Sequence, residues 1–158
     1  MIRSLIPDID YSFKDVYYGV VYPVYTKSGW LPGSRDGKFY NNAVPDSSKK
    51  SIVYWEDYGS RVIGRSSRQV RISQRVKLVV WMNDSRISKP YQERVHEIMQ
   101  AVPRRQGNTF FKLVGQLNKD IDIFQRYSYS EAQQYITYPY DVFALEYDVI
   151  YFEPCGTV

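Results

Sequence analysis

The sequence is poor in the residues from which compact catalytic centres are most often built. Among 158 residues there is one cysteine, Cys155, and one histidine, His96. A lone cysteine permits no disulfide within the chain, so nothing ties the fold to an oxidising compartment. One histidine and one cysteine do not make a zinc site, and no Cys/His spacing suggests one. His96 reads as a surface or rim residue of a helix. No apolar run reaches the length of a membrane span and MIRSLIPDID is not a signal peptide, so a cytosolic product without membrane association is expected. The phosphate-cradling GxxxxGK, the dinucleotide GxGxxG and the GxSxG elbow are all missing, and no cofactor is expected.

A different scarcity is local. From Asp57 to Asp84 no acid intervenes, while Arg61, Arg65, Arg68, Arg71, Arg75 and Lys77 supply six positive charges. That exceeds the net charge of +4, so the rest of the chain is slightly acidic. Cations in such a run suit phosphate or an acidic partner surface. They equally suit an exposed strand guarded against edge-to-edge aggregation.

Tyrosine, by contrast, is abundant: 16 residues, against 7 Phe and 3 Trp. An apolar ring with a polar tip fits subunit contacts and stacking sites, and also fits an ordinary β-rich protein.

The length fits a single domain spanning 1–158. Period-2 alternation over 69–82 is the strongest local signal: Val70, Ile72, Val76, Leu78, Val80 and Met82 share a face, interrupted by Gln74. The other face begins with Arg71, Ser73, Arg75 and Lys77 and ends with Val79 and Trp81. Why one strand face should carry cations at one end and a tryptophan at the other is the question that organises the functional reading.

Further strands are expected over GVVYPVYT (with Pro23 suggesting an edge), twice within 51–64, and over 109–117, 120–127 and 135–153. A short helix is expected over 8–18, from Ile9, Phe13, Val16 and Tyr17. The main helix is expected after Pro90, capped by Ser88, with a stripe of Tyr91, Val95, Ile98, Met99 and Val102. Residues 27–50 hold Gly, Pro, Ser and Asn throughout and read as a long loop ordered by a partner, with Trp30, Phe39 and Tyr40 as its contact residues. The fold class is α+β: an antiparallel or mixed sheet with one main amphipathic helix packed on it, a short N-terminal helix and a long loop.

Carboxylates spaced by two (Asp8/Asp10, Asp120/Asp122, Glu146/Asp148) read mainly as solvated strand faces. Asp8 with Asp36 and Lys38 has the residue types of a metal-dependent nuclease, but Gly33 and Gly37 place the latter two in a turn.

The order of elements resembles the tail-terminator and tail-completion proteins of tailed bacteriophages. It runs from a short N-terminal helix and a long loop to an extended strand ending in VVWMND, then an amphipathic helix after a polar turn, and strands closing on YPYDVFALEYDVIYFE. The likeness covers residues 50–153. The tyrosine content and the Gly/Pro loop also resemble connector ring proteins of crAss-like phages. The resemblance implies a non-enzymatic structural subunit of a sixfold or twelvefold homo-oligomeric ring at the head–tail junction of the virion. Such a ring is assembled in the host cytoplasm, contacts portal or adaptor and tail proteins, and has genomic DNA passing through its lumen. Heterologous ring contacts would use the basic residues with Trp81, and Glu146 and Asp148 as acidic complements. The alternative is a nucleic-acid-binding module using the 61–77 arginine-rich segment.

Overall fold

The computed structural model describes residues 2–27, 29–36, 39–45, 47–118, 120–128, 137 and 139–155, with backbone alone at 2–3, 35–36, 39–42 and 120–121. Strands β1 (Val16–Thr26), β2 (Gly29–Asp36), β3 (Phe39–Asn42), β4 (Ser51–Arg65) and β5 (Gln69–Asn83) lead to helix α2 (Tyr91–Ala101). Strands β6 (Arg105–Gln106), β7 (Thr109–Leu117) and β8 (Tyr140–Pro154) follow. Single helical turns, α1 (Ile2–Leu5) and α3 (Asp120–Ile123), complete the chain. The strands form one mixed sheet in the order β3-β2-β1-β4-β5-β8-β7-β6, in which only β1 and β4 run parallel. The α+β class, with one main helix on a sheet, is what the periodicities predict.

A different segment packs on each face of the sheet, and on the second face it covers only part. Val76, Leu78, Val80 and Met82 of β5 join Val53 and Trp55 of β4 and Phe143, Leu145 and Tyr147 of β8 beneath α2. The helix contributes Val95 and Ile98, with Val102 just past its end and Tyr91 and Met99 packed against the cluster, so the whole expected stripe faces inward. Its N-cap position is Pro90, which makes no side-chain cap bond; Ser88 does not cap. The opposite face buries Tyr54, Val79, Trp81, Val142 and Ala144 under Ala43, Ile123, Phe124 and Tyr127.

Four expectations are corrected. The helix over 8–18 is absent: Ile9, Tyr11 and Phe13 are buried while Asp10 and Ser12 are exposed, an extended segment with period 2. Ile9 and Phe13 stand four apart, a spacing shared by both periods, and Tyr11, whose hydroxyl bonds Ser51 Oγ at 2.8 Å, decides between them. In place of the strand over 120–127 there is a helical turn at Asp120–Ile123 followed by a non-helical turn, with Ile123, Phe124 and Tyr127 all buried. Residues 51–64 form one strand, bent at a bulge between Asp57 and Ser60, where Gly59 adopts φ 94° and donates its N–H to Asp57 Oδ1 at 2.9 Å.

The fourth correction is the loop at 27–50, which contains β2 and β3. Pro23 and Pro32 stand directly opposite one another, so the two missing N–H groups weaken a single rung of the ladder. Pairing of β1 with β4 ends at Val21↔Glu56. Tyr22–Thr26 and the start of β2 therefore run on as a two-stranded ribbon, and Pro23 sits on its free side although β1 is a central strand. In the closing strand, residues 135, 136 and 138 lie outside the described ones.

Candidate interaction surfaces

The face of β5 that carries Arg71, Ser73, Arg75, Lys77, Val79 and Trp81 is graded from open to sealed. At the sealed end Trp81 is 2% exposed, donates its indole N–H to Tyr54 Oη at 3.1 Å and lies 4.9 Å from the Phe124 ring. Its cover belongs to its own chain.

In the middle, cations meet acids of the same molecule. Lys77 is 3% exposed. Its ammonium donates to the Asp122 carbonyl at 3.1 Å and lies 4.4 Å from the Tyr58 ring centre. Burial lowers its pKa, against the pull of Glu56 and Glu146. Glu56, opposite Lys77 in the ladder, is 1% exposed and accepts hydroxyl bonds from Tyr58 at 2.6 Å and Tyr127 at 2.9 Å. Burial raises its carboxyl pKa; those two bonds, then Lys77 and Arg126, work the other way. The Arg126 guanidinium lies 3.7 Å from the Tyr58 ring centre.

Arg75 completes this region through its cross-strand neighbours on β8. Its Nε donates to Asp148 Oδ1 at 2.7 Å, Nη2 to Asp148 Oδ2 at 3.4 Å, and Nη1 to Glu146 Oε2 at 3.5 Å. The hydrogen bonds to Asp148 raise the guanidinium pKa. Glu146 and Asp148 thus neutralise a cation of their own chain.

At the open end the remaining arginines are unengaged. Arg61, Arg65, Arg68 and Arg71 are exposed, and none forms an ion pair among the described residues. The β4–β5 turn holding Arg68 is fixed by Ser66, whose N–H donates to the Gln69 carbonyl at 2.9 Å and whose Oγ accepts from Gln69 N at 3.1 Å. Cross-strand partners share a face, so register places Arg61 opposite Ser73, Arg71 opposite Phe152, and Phe110 opposite Ile150 on one surface. Phe110 and Phe152 are 39% and 41% exposed. Arg65, opposite Val70, points to the other face.

The third feature is the β1–β2 ribbon. Tyr25 and Trp30 are exposed and meet edge-to-face at 5.3 Å. Ser128 pins the ribbon: Trp30 N donates to its Oγ at 2.8 Å and its own N–H donates to the Trp30 carbonyl at 3.0 Å. The side chains of Phe39 and Tyr40 lie outside the described ones.

Glu56, Tyr58, Arg126 and Tyr127 escaped the sequence reading, as did Arg94; the one hint was an acid, Glu56, directly after the apolar run SIVYW. For the metal reading, Asp8 and Asp10 each lie 3.7 Å from the Lys14 ammonium, while Lys38 and the side chain of Asp36 lie outside the described residues. Among the described residues no three His, Cys, Asp or Glu side chains gather as metal ligands, and no helix is long and apolar enough to cross a membrane. Comparison with family models, curated proteins and solved structures finds no match to this chain.

Proposed function

We propose that the chain is a ring-forming structural subunit of a phage head–tail connector or tail terminator, joining a portal or adaptor ring to the tail. The observation that carries this reading is the unlikeness of the two ends of the sheet. At one end β6 pairs only with Thr109 and Phe110, so Lys112–Leu117 of β7 have no outer strand among the described residues. At the other end the ribbon projects with Tyr25 and Trp30 exposed. Two different open borders cannot satisfy each other within one copy, but they can between successive copies, and head-to-tail contact with rotation closes into a ring. These borders are the surfaces offered for assembly.

Native mass spectrometry tests the reading. Closed oligomers of sixfold or twelvefold size are expected, alone or after mixing with the adjoining portal or adaptor. A chain that stays monomeric with those neighbours present is not such a subunit.

A further inference from the structure

We infer that the open half of the second sheet face binds single-stranded nucleic acid, with phosphates held by Arg61, Arg71 and Lys112 and bases stacked on Phe110 and Phe152.

Three observations meet at this surface. The first is charge. Register puts Arg61, Arg71 and Lys112 on the same face, all exposed and none ion-paired among the described residues. The acids on that face, Glu146 and Asp148, are taken up by Arg75. The surface is therefore cationic without an internal counter-ion among the described residues, which is the footprint of phosphate binding.

The second is the placement of the rings. Phe110 faces Ile150, and Phe152 lies two residues further along β8, so the two phenylalanines are diagonal neighbours about 7–8 Å apart. Large apolar side chains left 39% and 41% exposed on a sheet face contribute little to the core. They do offer two π faces side by side, and Arg105 already lies 5.2 Å from the Phe110 ring centre. An acidic protein segment would satisfy the cations but would have no use for paired rings; a nucleic-acid strand uses both at once.

The third is shape. Arg71, Phe110, Lys112 and Ile150 of this face line an open hollow of ≈ 980 Å³ whose other wall, Met99, Val102, Phe111 and Tyr147, belongs to the α2 side of the sheet. Gly64 stands opposite Arg71 and carries no side chain that could cover it. A hollow shared between the two sides of the sheet suits a flexible strand that bends around β7, whereas a rigid duplex would meet only its rim. No ring needs to form for this surface to exist, so the inference is independent of the assembly reading.

The test is fluorescence anisotropy with a labelled oligothymidylate about 16 nucleotides long, the upper end of a single-domain site. A duplex of equal length and a polyglutamate peptide serve as competitors. Binding is expected with a log–log salt slope of about −2, from three cations at about 0.7 each. Arg71→Gln should flatten that slope by about 0.7. Phe110→Ala and Phe152→Ala should each weaken binding by about 5- to 150-fold. Arg65→Gln, which removes the same charge from the opposite face, should leave affinity nearly unchanged, and circular dichroism confirms that each variant is folded. Absence of binding at low salt overturns the inference. Folded phenylalanine variants that bind like the parent also overturn it, as does polyglutamate that competes as well as the oligonucleotide, which marks an acidic-protein surface instead.

Discussion

Glu56 and Lys77 stand opposite one another in the β4–β5 ladder, both almost wholly buried, and each makes one hydrogen bond to the segment that closes over the sheet. Lys77 donates to the carbonyl of Asp122, and Glu56 accepts from Tyr127. The covering turn at 120–128 is thus attached by apolar contact through Ile123 and Phe124 and by a polar network beside it. Two desolvated charges are tolerable because each has partners and each lies in the other's field. Their place at the boundary between the sealed and open halves of the face sets where the cover ends.

Breaking this network from one side should be worse than removing it. Lys77→Met leaves Glu56 charged in an apolar setting and is expected to cost about 3–5 kcal/mol in urea unfolding. Adding Glu56→Gln removes the stranded charge, so the double variant should recover part of that loss. If the two effects simply add, the groups are not coupled and the network account fails.

The same pair gives a pH signature with a definite sign. Burial raises the Glu56 carboxyl above its usual 4.5, so the folded chain keeps that proton after the unfolded chain has released it. Its contribution is present in full below about 4.5 and is lost as pH rises through the elevated value. Lys77 is depressed below its usual 10.5, so its contribution is present above that value and disappears as pH falls through the lowered one. The melting temperature of the parent minus that of Glu56→Gln should therefore increase as pH is lowered from neutral toward the ordinary carboxyl range. A flat difference across that range would show that Glu56 titrates alike in both states.

Arg94 carries a prediction that no pattern in the sequence announced. It is buried on α2 and donates to the carbonyls of Lys89 at 2.6 Å and Ile87 at 3.1 Å and to the Asp84 carboxylate. One planar fork gathers the turn between β5 and α2. Arg94→Lys keeps the charge but not the fork, and should cost about 2–3 kcal/mol. Faster amide exchange across residues 84–90 would localise the loss to that turn.

The contrast between what was and was not legible follows from how far apart the interacting residues lie. Val76, Leu78, Val80 and Met82, like the stripe from Tyr91 to Val102, declare themselves because burial and periodicity coincide within one element. The pairing of Arg75 with Asp148 spans 73 positions and depends on a register that no local pattern encodes. The basic run looked uniform for the same reason: only strand pairing separates Arg75 and Lys77, which are answered internally, from Arg61, Arg65, Arg68 and Arg71, which are not. Phe110 and Phe152 become neighbours only when β7 and β8 pair, so a search for aromatics within the basic run itself could not find them. Glycine and proline hid β2, because Gly29, Pro32 and Gly33 read as loop until Pro23 is seen to face Pro32.

The ribbon separates folding from assembly. Tyr25 is 71% exposed and Trp30 47%, so their rings contribute little to the core, while the ribbon's backbone is held by Ser128 and by its own ladder. Replacing both rings with alanine should therefore change the stability of the isolated subunit by no more than about 1 kcal/mol, the scale of one exposed aromatic pair. If these rings anchor a neighbouring copy, the same change should abolish the oligomer, since buried aromatic anchors dominate interface energies. Trp81→Ala is the necessary comparison. That ring is sealed beneath Phe124, and its loss should cost the monomer about 3–5 kcal/mol whatever the assembly state. Urea titration and native mass spectrometry on both variants distinguish the two roles. A Tyr25/Trp30 double variant that still forms rings would move the subunit contact off the ribbon and onto the opposite border at β7.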